Sequence, residues 1–211
     1  MRGSGLNIKP HRFLTAFGSS WNSFLGFYME EPINQRNNTS NKPQTLIRQP
    51  RGIMWGKDSR HFEGKVDILK SVANFVPLVA TSTMPVFQHK NVQWLGHQTP
   101  QSWRELLTRS KFLLGLGDPL LGPSAIEAIA SGCMYINPIY PIPVRDGAFN
   151  SQHPYADAKI GKPYVCSYRI NDLDSLKLCV DLALTVDLEP FLPPDFTKVI
   201  YLERVRQIFN L

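Results

Sequence analysis

Three observations predict an α/β domain built on a parallel sheet with helices on both faces. Short apolar runs that do not alternate recur along the chain, segments of helical period separate them, and one apolar run ends in glycines just before a helix begins. The strand candidates are Phe24 to Met29, Ile53 to Trp55, Leu78 to Thr81, Lys111 to Gly115, Met134 to Asn137 and Tyr164 to Arg169. Runs of this kind suit strands covered on both faces. The helix candidates are Glu63 to Phe75, Pro100 to Ser110, Ser124 to Ser131 and Leu173 to Thr185, each with apolar residues three and four apart. Alternation of the two kinds of segment implies parallel pairing through right-handed crossovers, a Rossmann-like arrangement.

Capping residues agree with these boundaries. Thr99 followed by Pro100 offers an N-cap and a proline at the first helical position, Gly132 falls where a helix C-terminus needs it, and Asp172 is placed to cap the last clear helix. Two long stretches, Glu31 to Pro50 and Pro138 to Pro163, read as irregular and exceed ordinary loop lengths. At 211 residues the chain has room for one domain with a substantial core, so residues 1–211 are expected to form a single Rossmann-like domain, with 1–20 as an N-terminal segment and 186–211 as a helical tail.

Composition narrows the classes. An apolar fraction of 43% with 19% charged residues argues against wholesale disorder. The net charge of +6 favours an anionic ligand, but the basic residues are scattered rather than clustered, so no nucleic-acid partner is expected. No stretch approaches the roughly 18 apolar residues of a membrane span, and the first ten residues lack the apolar core of a signal peptide. Cys133, Cys166 and Cys179 are too few and too widely spaced for a disulfide scaffold or a zinc site, and one thiol stays odd whatever pairs. Overlapping acceptor triplets at Asn37 and Asn38 are candidates for glycosylation and point to the secretory pathway.

Chemistry in open parallel sheets gathers beyond the carboxyl ends of the strands. Lys111 to Gly117 reads as a buried strand ending in glycines, and Asp118 to Ser124 turns into a helix. Backbone N–H groups and the positive helix end converge at such a turn, and Gly117 and Gly122 let a diphosphate approach the backbone. Glu127, one turn in, either accepts from sugar hydroxyls or is an exposed acid favoured by the helix dipole. Lys57, leaving the strand beside Gly56, either neutralises a phosphate or is a surface lysine. Cys133 reads as a packed small hydrophobe, and His153 reads equally as a ligand contact or as a residue that orders its turn. No Ser/His/Asp arrangement stands out.

Several motifs then resemble one family. Gly115-Leu116-Gly117, Gly122-Pro123, Glu127-Ala128-Ile129-Ala130, Gly132-Cys133, Asn137-Pro138, Ser151-Gln152-His153-Pro154-Tyr155-Ala156 and Ile160-Gly161-Lys162-Pro163 follow the order seen in the α-1,6-mannosylglycoprotein 6-β-N-acetylglucosaminyltransferases (N-acetylglucosaminyltransferase V, glycosyltransferase family 18). Asn22-Ser23-Phe24-Leu25-Gly26-Phe27 and Gly56-Lys57 fit as well. The Glu-Ala-x-Ala-x-Gly helix is common to many transferases of the two-Rossmann GT-B architecture, whereas the His-Pro-Tyr-Ala and Asn-Ser-Phe-Leu-Gly-Phe stretches are more specific. The resemblance implies the C-terminal, donor-binding half of a Golgi type II membrane enzyme. Such an enzyme transfers N-acetylglucosamine from UDP-N-acetylglucosamine to mannose of N-glycans with inversion, using no cofactor and no metal.

By the same resemblance Glu127 holds the ribose of UDP, the backbone at Gly122, Pro123 and Ser124 faces the diphosphate, and Lys57 lies nearby. Gly117, Asn137 and His153 complete the expected donor-binding set. Two departures stand out. Leu121 occupies the place of a family Glu before the Gly-Pro pair, and Ile139 to Asn150 is shorter than the family's segment, which carries a basic residue. The family's catalytic carboxylate, acceptor site and membrane anchor belong to a part that this sequence does not contain, so little turnover is expected of the chain alone. The competing reading is a non-catalytic binding or regulatory module with a decayed donor site; a basic domain for acidic glycans ranks third.

Overall fold

A computed structural model describes residues 14–18, 23–29, 47–145 and 147–210. The chain divides into two compact units, one from Met1–Pro43 with Leu192–Leu211 and the other from Gln44–Phe191. Asn37 and Asn38 lie outside the described residues.

In the first unit, β1 (Leu14–Thr15) pairs in parallel with β2 (Ser23–Phe24). A longer strand from Phe24 to Met29 was expected; Gly26, at φ +77, turns the chain out of extended geometry and gives its N–H to the Thr15 carbonyl. Phe17, Phe27 and Phe196 pack ring against ring. The tail forms α5 (Lys198–Phe209), whose Arg204 lies 4.1 Å over the Phe24 ring and donates to the Leu25 carbonyl.

The second unit carries the sheet. Among the described residues it has seven strands: β3 (Gln49–Met54), β4 (Leu78–Ala80), β5 (Val92–Trp94), β6 (Ser110–Leu114), β7 (Met134–Val144), β8 (Phe149–Ser151) and β9 (Val165–Arg169). Their spatial order runs β5-β4-β3-β6-β7, with β9 beside the first half of β7. All pairings are parallel except β7 with β8. The chain starts in the middle at β3, moves out through β4 to β5, then returns to the other side of β3 for β6. That reversal makes the gap between the carboxyl ends of β3 and β6 the switch point of the sheet.

Each face is covered by two helices. Met54, Leu78, Ala80, Phe112, Leu114, Met134 and Ile136 face α1 (Val66–Ala73) and α4 (Leu173–Thr185). Their strand neighbours Ile53, Leu113, Tyr135 and Val165 face α2 (Pro100–Thr108) and α3 (Ser124–Ala130). Burial on both sides is why these strands are apolar without alternation. The caps sit as the sequence predicts. Thr99 accepts from the Ser102 N–H, Asp172 from the Asp174 and Ser175 N–H groups, and Gly132 ends α3 at φ +73. A Cβ on Gly132 would stand 2.7 Å from the Leu188 carbonyl.

The differences have local causes. β5 has only Val-Gln-Trp between polar turns, too short a run to register as a strand. The stretch after Asn137 was expected to be irregular, yet β7 continues to Val144 despite Pro138, Pro141 and Pro143. Its register with β8 shifts between Ile139 and Val144, so Pro141 and Pro143 fall where regular ladder bonds are interrupted, while Pro138 stays in register with Tyr168 of β9. Cys166 and Cys179 form a disulfide that ties β9 to α4, leaving Cys133 as the free thiol, buried and pushed up to about 12 by desolvation. Sequence spacing had argued against a disulfide scaffold; one bridge between neighbouring elements needs only proximity in the fold.

Candidate functional site

A cleft opens at the switch point, lined by Trp55 after β3, Gly115, Asp118, Pro119 and Gly122 after β6, Ser124 and Ala125 of α3, and Gln152 after β8. The loop after β6 is held by side chains from other elements. Gln152 accepts from the Gly117 N–H at 2.9 Å and donates to the Pro119 carbonyl at 3.0 Å, while its own backbone carbonyl takes the Leu121 N–H. Tyr140 of β7 donates to the Gly117 carbonyl, and Tyr168 of β9 donates to that of Gly115. Gly115 is required by this closeness, since a Cβ there would sit 2.5 Å from Gln152 Oε1 and 2.9 Å from the Ile136 carbonyl. The backbone that faces the cleft is therefore set before any ligand arrives.

The helix start is tighter than the sequence suggests. The Ala125 N–H bonds to the Gly122 carbonyl, and those of Ile126 and Glu127 to that of Pro123. Fewer first-turn amides remain for a ligand than four orphan groups would supply. Ser124 lines the cleft and Pro123 is exposed. Leu121, in the left-handed region at φ +53, is half-buried beside them.

Glu127 is half-buried on α3, and its Oε2 accepts from Trp103 Nε1 of α2 at 2.8 Å. It is thus neither a freely exposed acid nor one closed off from the surface. Lys57 is exposed just after β3. A second cation, Lys65, was not singled out in the sequence because it sits inside a helix-period segment. Its ammonium donates to the His61 carbonyl, burial lowers its pKa, and the Asp118 carboxylate at the cleft opposes that shift.

Asn137 and His153 have internal work. Asn137 is fully buried; its amide donates to Asp157 at 2.6 Å and Ser151 at 3.3 Å, and its oxygen accepts the His153 N–H. His153 Nδ1 accepts from the Ala156 N–H, ordering the turn into residues 156–160, and burial holds the ring far below its usual value, at about 4. Of the two roles open for His153 in the sequence, the turn-ordering one has visible contacts. Both residues support the strand-end loop that carries Gln152. Of the predicted residues Gly122 and Ser124 line the cleft, Gly117 bonds Gln152 of its lining, and Glu127 lies on the helix that Ser124 begins, with its carboxylate on Trp103. Trp103, Gln152, Tyr140 and Lys65 escaped sequence reasoning, since their roles arise from contacts between distant elements.

Comparisons with known proteins agree with this fold. The profile of glycosyltransferase family 18 matches residues 3–210. The human α-1,6-mannosylglycoprotein 6-β-N-acetylglucosaminyltransferase A is 29% identical over 216 residues, which cover 94% of this chain and 29% of the relative. The Caenorhabditis elegans α-1,6-mannosylglycoprotein 6-β-N-acetylglucosaminyltransferase is 29% identical over 96% of this chain and 32% of its own length. The chain thus spans about a third of the curated relatives it matches. Among solved structures, a Methanocaldococcus jannaschii UDP-GlcNAc 2-epimerase in complex with UDP-GlcNAc and UDP superposes with TM-score 0.53 at 11% identity, over 78% of this chain and 46% of that one. An S. aureus MnaA–UDP structure gives TM-score 0.51 at 12% identity, over 82% and 50%. These two share the fold, a parallel sheet flanked by helices. Matched by the family profile along nearly its whole length, the chain belongs to glycosyltransferase family 18.

Proposed function

We propose that this chain is the donor-binding half of an inverting transferase that moves N-acetylglucosamine from UDP-N-acetylglucosamine, in β1,6 linkage, to mannose of N-glycans. The observation that carries the reading is a pre-set cleft at the sheet's switch point, lined by Gly122 and Ser124 at the start of the helix that carries Glu127, in a chain of this family. In this reading the diphosphate lies along the Gly122–Ser124 backbone, Lys57 and Lys65 supply positive charge, and Glu127 accepts from the ribose. No metal and no other cofactor takes part.

An inverting transfer needs a general base within reach of the acceptor hydroxyl. The reading places that base and the N-glycan site outside this 211-residue sequence, so the chain by itself binds donor and turns over little. It also places the protein in the Golgi, at the membrane or in the lumen. The Cys166–Cys179 disulfide supports an oxidising compartment, and no helix among the described residues is long and apolar enough to cross a membrane.

Calorimetric titration with UDP, with and without EDTA, tests the proposal. Saturable binding that survives EDTA and is lost in Glu127→Ala is expected; no binding by the folded chain would overturn it. One feature favours a second reading, a binding module with a decayed donor site: Leu121 stands in the place of a family Glu, in a left-handed conformation beside the cleft. If Leu121→Glu binds UDP-N-acetylglucosamine much more tightly relative to UDP than wild type does, the site has decayed.

A further inference from the structure

From the contact between α2 and α3 we infer that Trp103 is a positioning residue for the nucleotide's sugar, setting the carboxylate of Glu127 in the orientation that recognises ribose hydroxyls. The inference rests on the donor-binding reading above.

Trp103 is 8% exposed and packs with Ile53, Leu107, Leu113, Ala125 and Ala128, the layer directly beneath the switch point. Its ring cannot turn without disturbing that layer. Indole Nε1–H is a donor only, so it can hold an oxygen and nothing else. It holds Glu127 Oε2 at 2.8 Å. Glu127 sits on the same helix as Ser124 and Ala125, which line the cleft, and no other side chain among the described residues bonds its carboxylate. With one oxygen tied to a rigid ring, Oε1 is presented in a single direction. A carboxylate recognises the adjacent 2′ and 3′ hydroxyls of a ribose only when its plane is fixed relative to them, and a half-buried glutamate with free rotamers loses that advantage on binding. α2 therefore contributes to the site without lining the cleft.

The test compares UDP with 2′-deoxy-UDP, measured calorimetrically on the full chain, in wild type and in Trp103→Phe, which keeps an aromatic ring, removes the N–H donor and fills the layer less fully. Wild type is expected to prefer UDP by roughly tenfold, as one hydrogen bond to a charged group supplies. In Trp103→Phe the preference is expected to fall to within about twofold or threefold, by loss of UDP affinity with little change for the deoxy nucleotide. A purely structural role for Trp103 weakens both nucleotides alike and leaves the ratio intact, which would overturn the inference. Absence of UDP binding by wild type overturns the donor reading itself. UDP binding without any ribose preference overturns this inference alone.

Should Trp103→Phe fail to fold, wild type decides the matter through the indole ¹⁵N–¹H resonances. The Trp103 signal, identified as the one displaced in Glu127→Gln, is expected to shift with UDP and much less with 2′-deoxy-UDP. Equal shifts with both would overturn the inference.

Discussion

Replacing Gln152 with methionine removes the amide that pins the loop after β6 while keeping the side chain's length and most of its volume. In the wild-type fold Gln152 is 7% exposed, takes the Gly117 N–H at 2.9 Å and gives a hydrogen to the Pro119 carbonyl at 3.0 Å. Each such bond is worth about 1 kcal/mol net, and leaving the backbone partners poorly solvated adds to the loss, so Gln152→Met should cost about 2–4 kcal/mol. For a unit of this size that corresponds to a melting temperature lower by roughly 5–12 °C. The backbone bonds of residue 152 to Pro138 and Leu121 remain, so the unit should still fold. UDP should then bind about five- to tenfold more weakly, because the loop must be ordered at the expense of binding. Thermal denaturation followed by circular dichroism, together with calorimetric UDP titration, measures both effects. Gln101→Met is the control: Gln101 is exposed and bonds only Glu105, at 3.2 Å, so its loss should change stability by no more than about 0.5 kcal/mol. If Gln152→Met matches that control in both stability and UDP affinity, the loop is not held by this side chain and the argument for a pre-set cleft fails.

Two further predictions follow from the same fold. Breaking the Cys166–Cys179 bridge by Cys179→Ala should lower stability by about 3 kcal/mol, the chain-entropy value for a loop of this length, read as a drop in the urea midpoint; reductant should then have no further effect. The buried His153 ring titrates at about 4, below its unfolded value, so the unfolded state binds the extra proton first. Its contribution is present above about pH 6.5 and is lost as the pH falls toward 4, by up to about 3 kcal/mol, and His153→Gln should flatten that part of the stability profile.

The outline of the sheet is readable in the sequence because its cause is local. Ile53-Met54, Leu113-Leu114 and Tyr135-Ile136 are apolar at adjacent positions because both faces are covered, and Thr99, Asp172 and Gly132 mark helix ends through their own chemistry. The glycine-rich turn before α3 is visible for the same reason, and Gly122 and Ser124 of that turn line the cleft. Less legible was the stretch after Asn137, where Pro141 and Pro143 signal irregularity until the register shift with β8 accommodates them.

What the sequence determined by itself, then, was the order of β3, β4, β6, β7 and β9 and of the helices α1 to α4 between and after them, the helix caps, the Gly-rich turn and the family, since each depends on residues close together along the chain. Only the tertiary structure decided that Gln152, Tyr140 and Tyr168 would hold that turn, that Trp103 would grip Glu127, that Asn137 and His153 would be buried supports, and that Cys166 would meet Cys179. Those outcomes depend on hydrogen-bond reach between elements separated by many residues, and a distance of three ångströms across a sheet leaves no mark on the spacing of the letters.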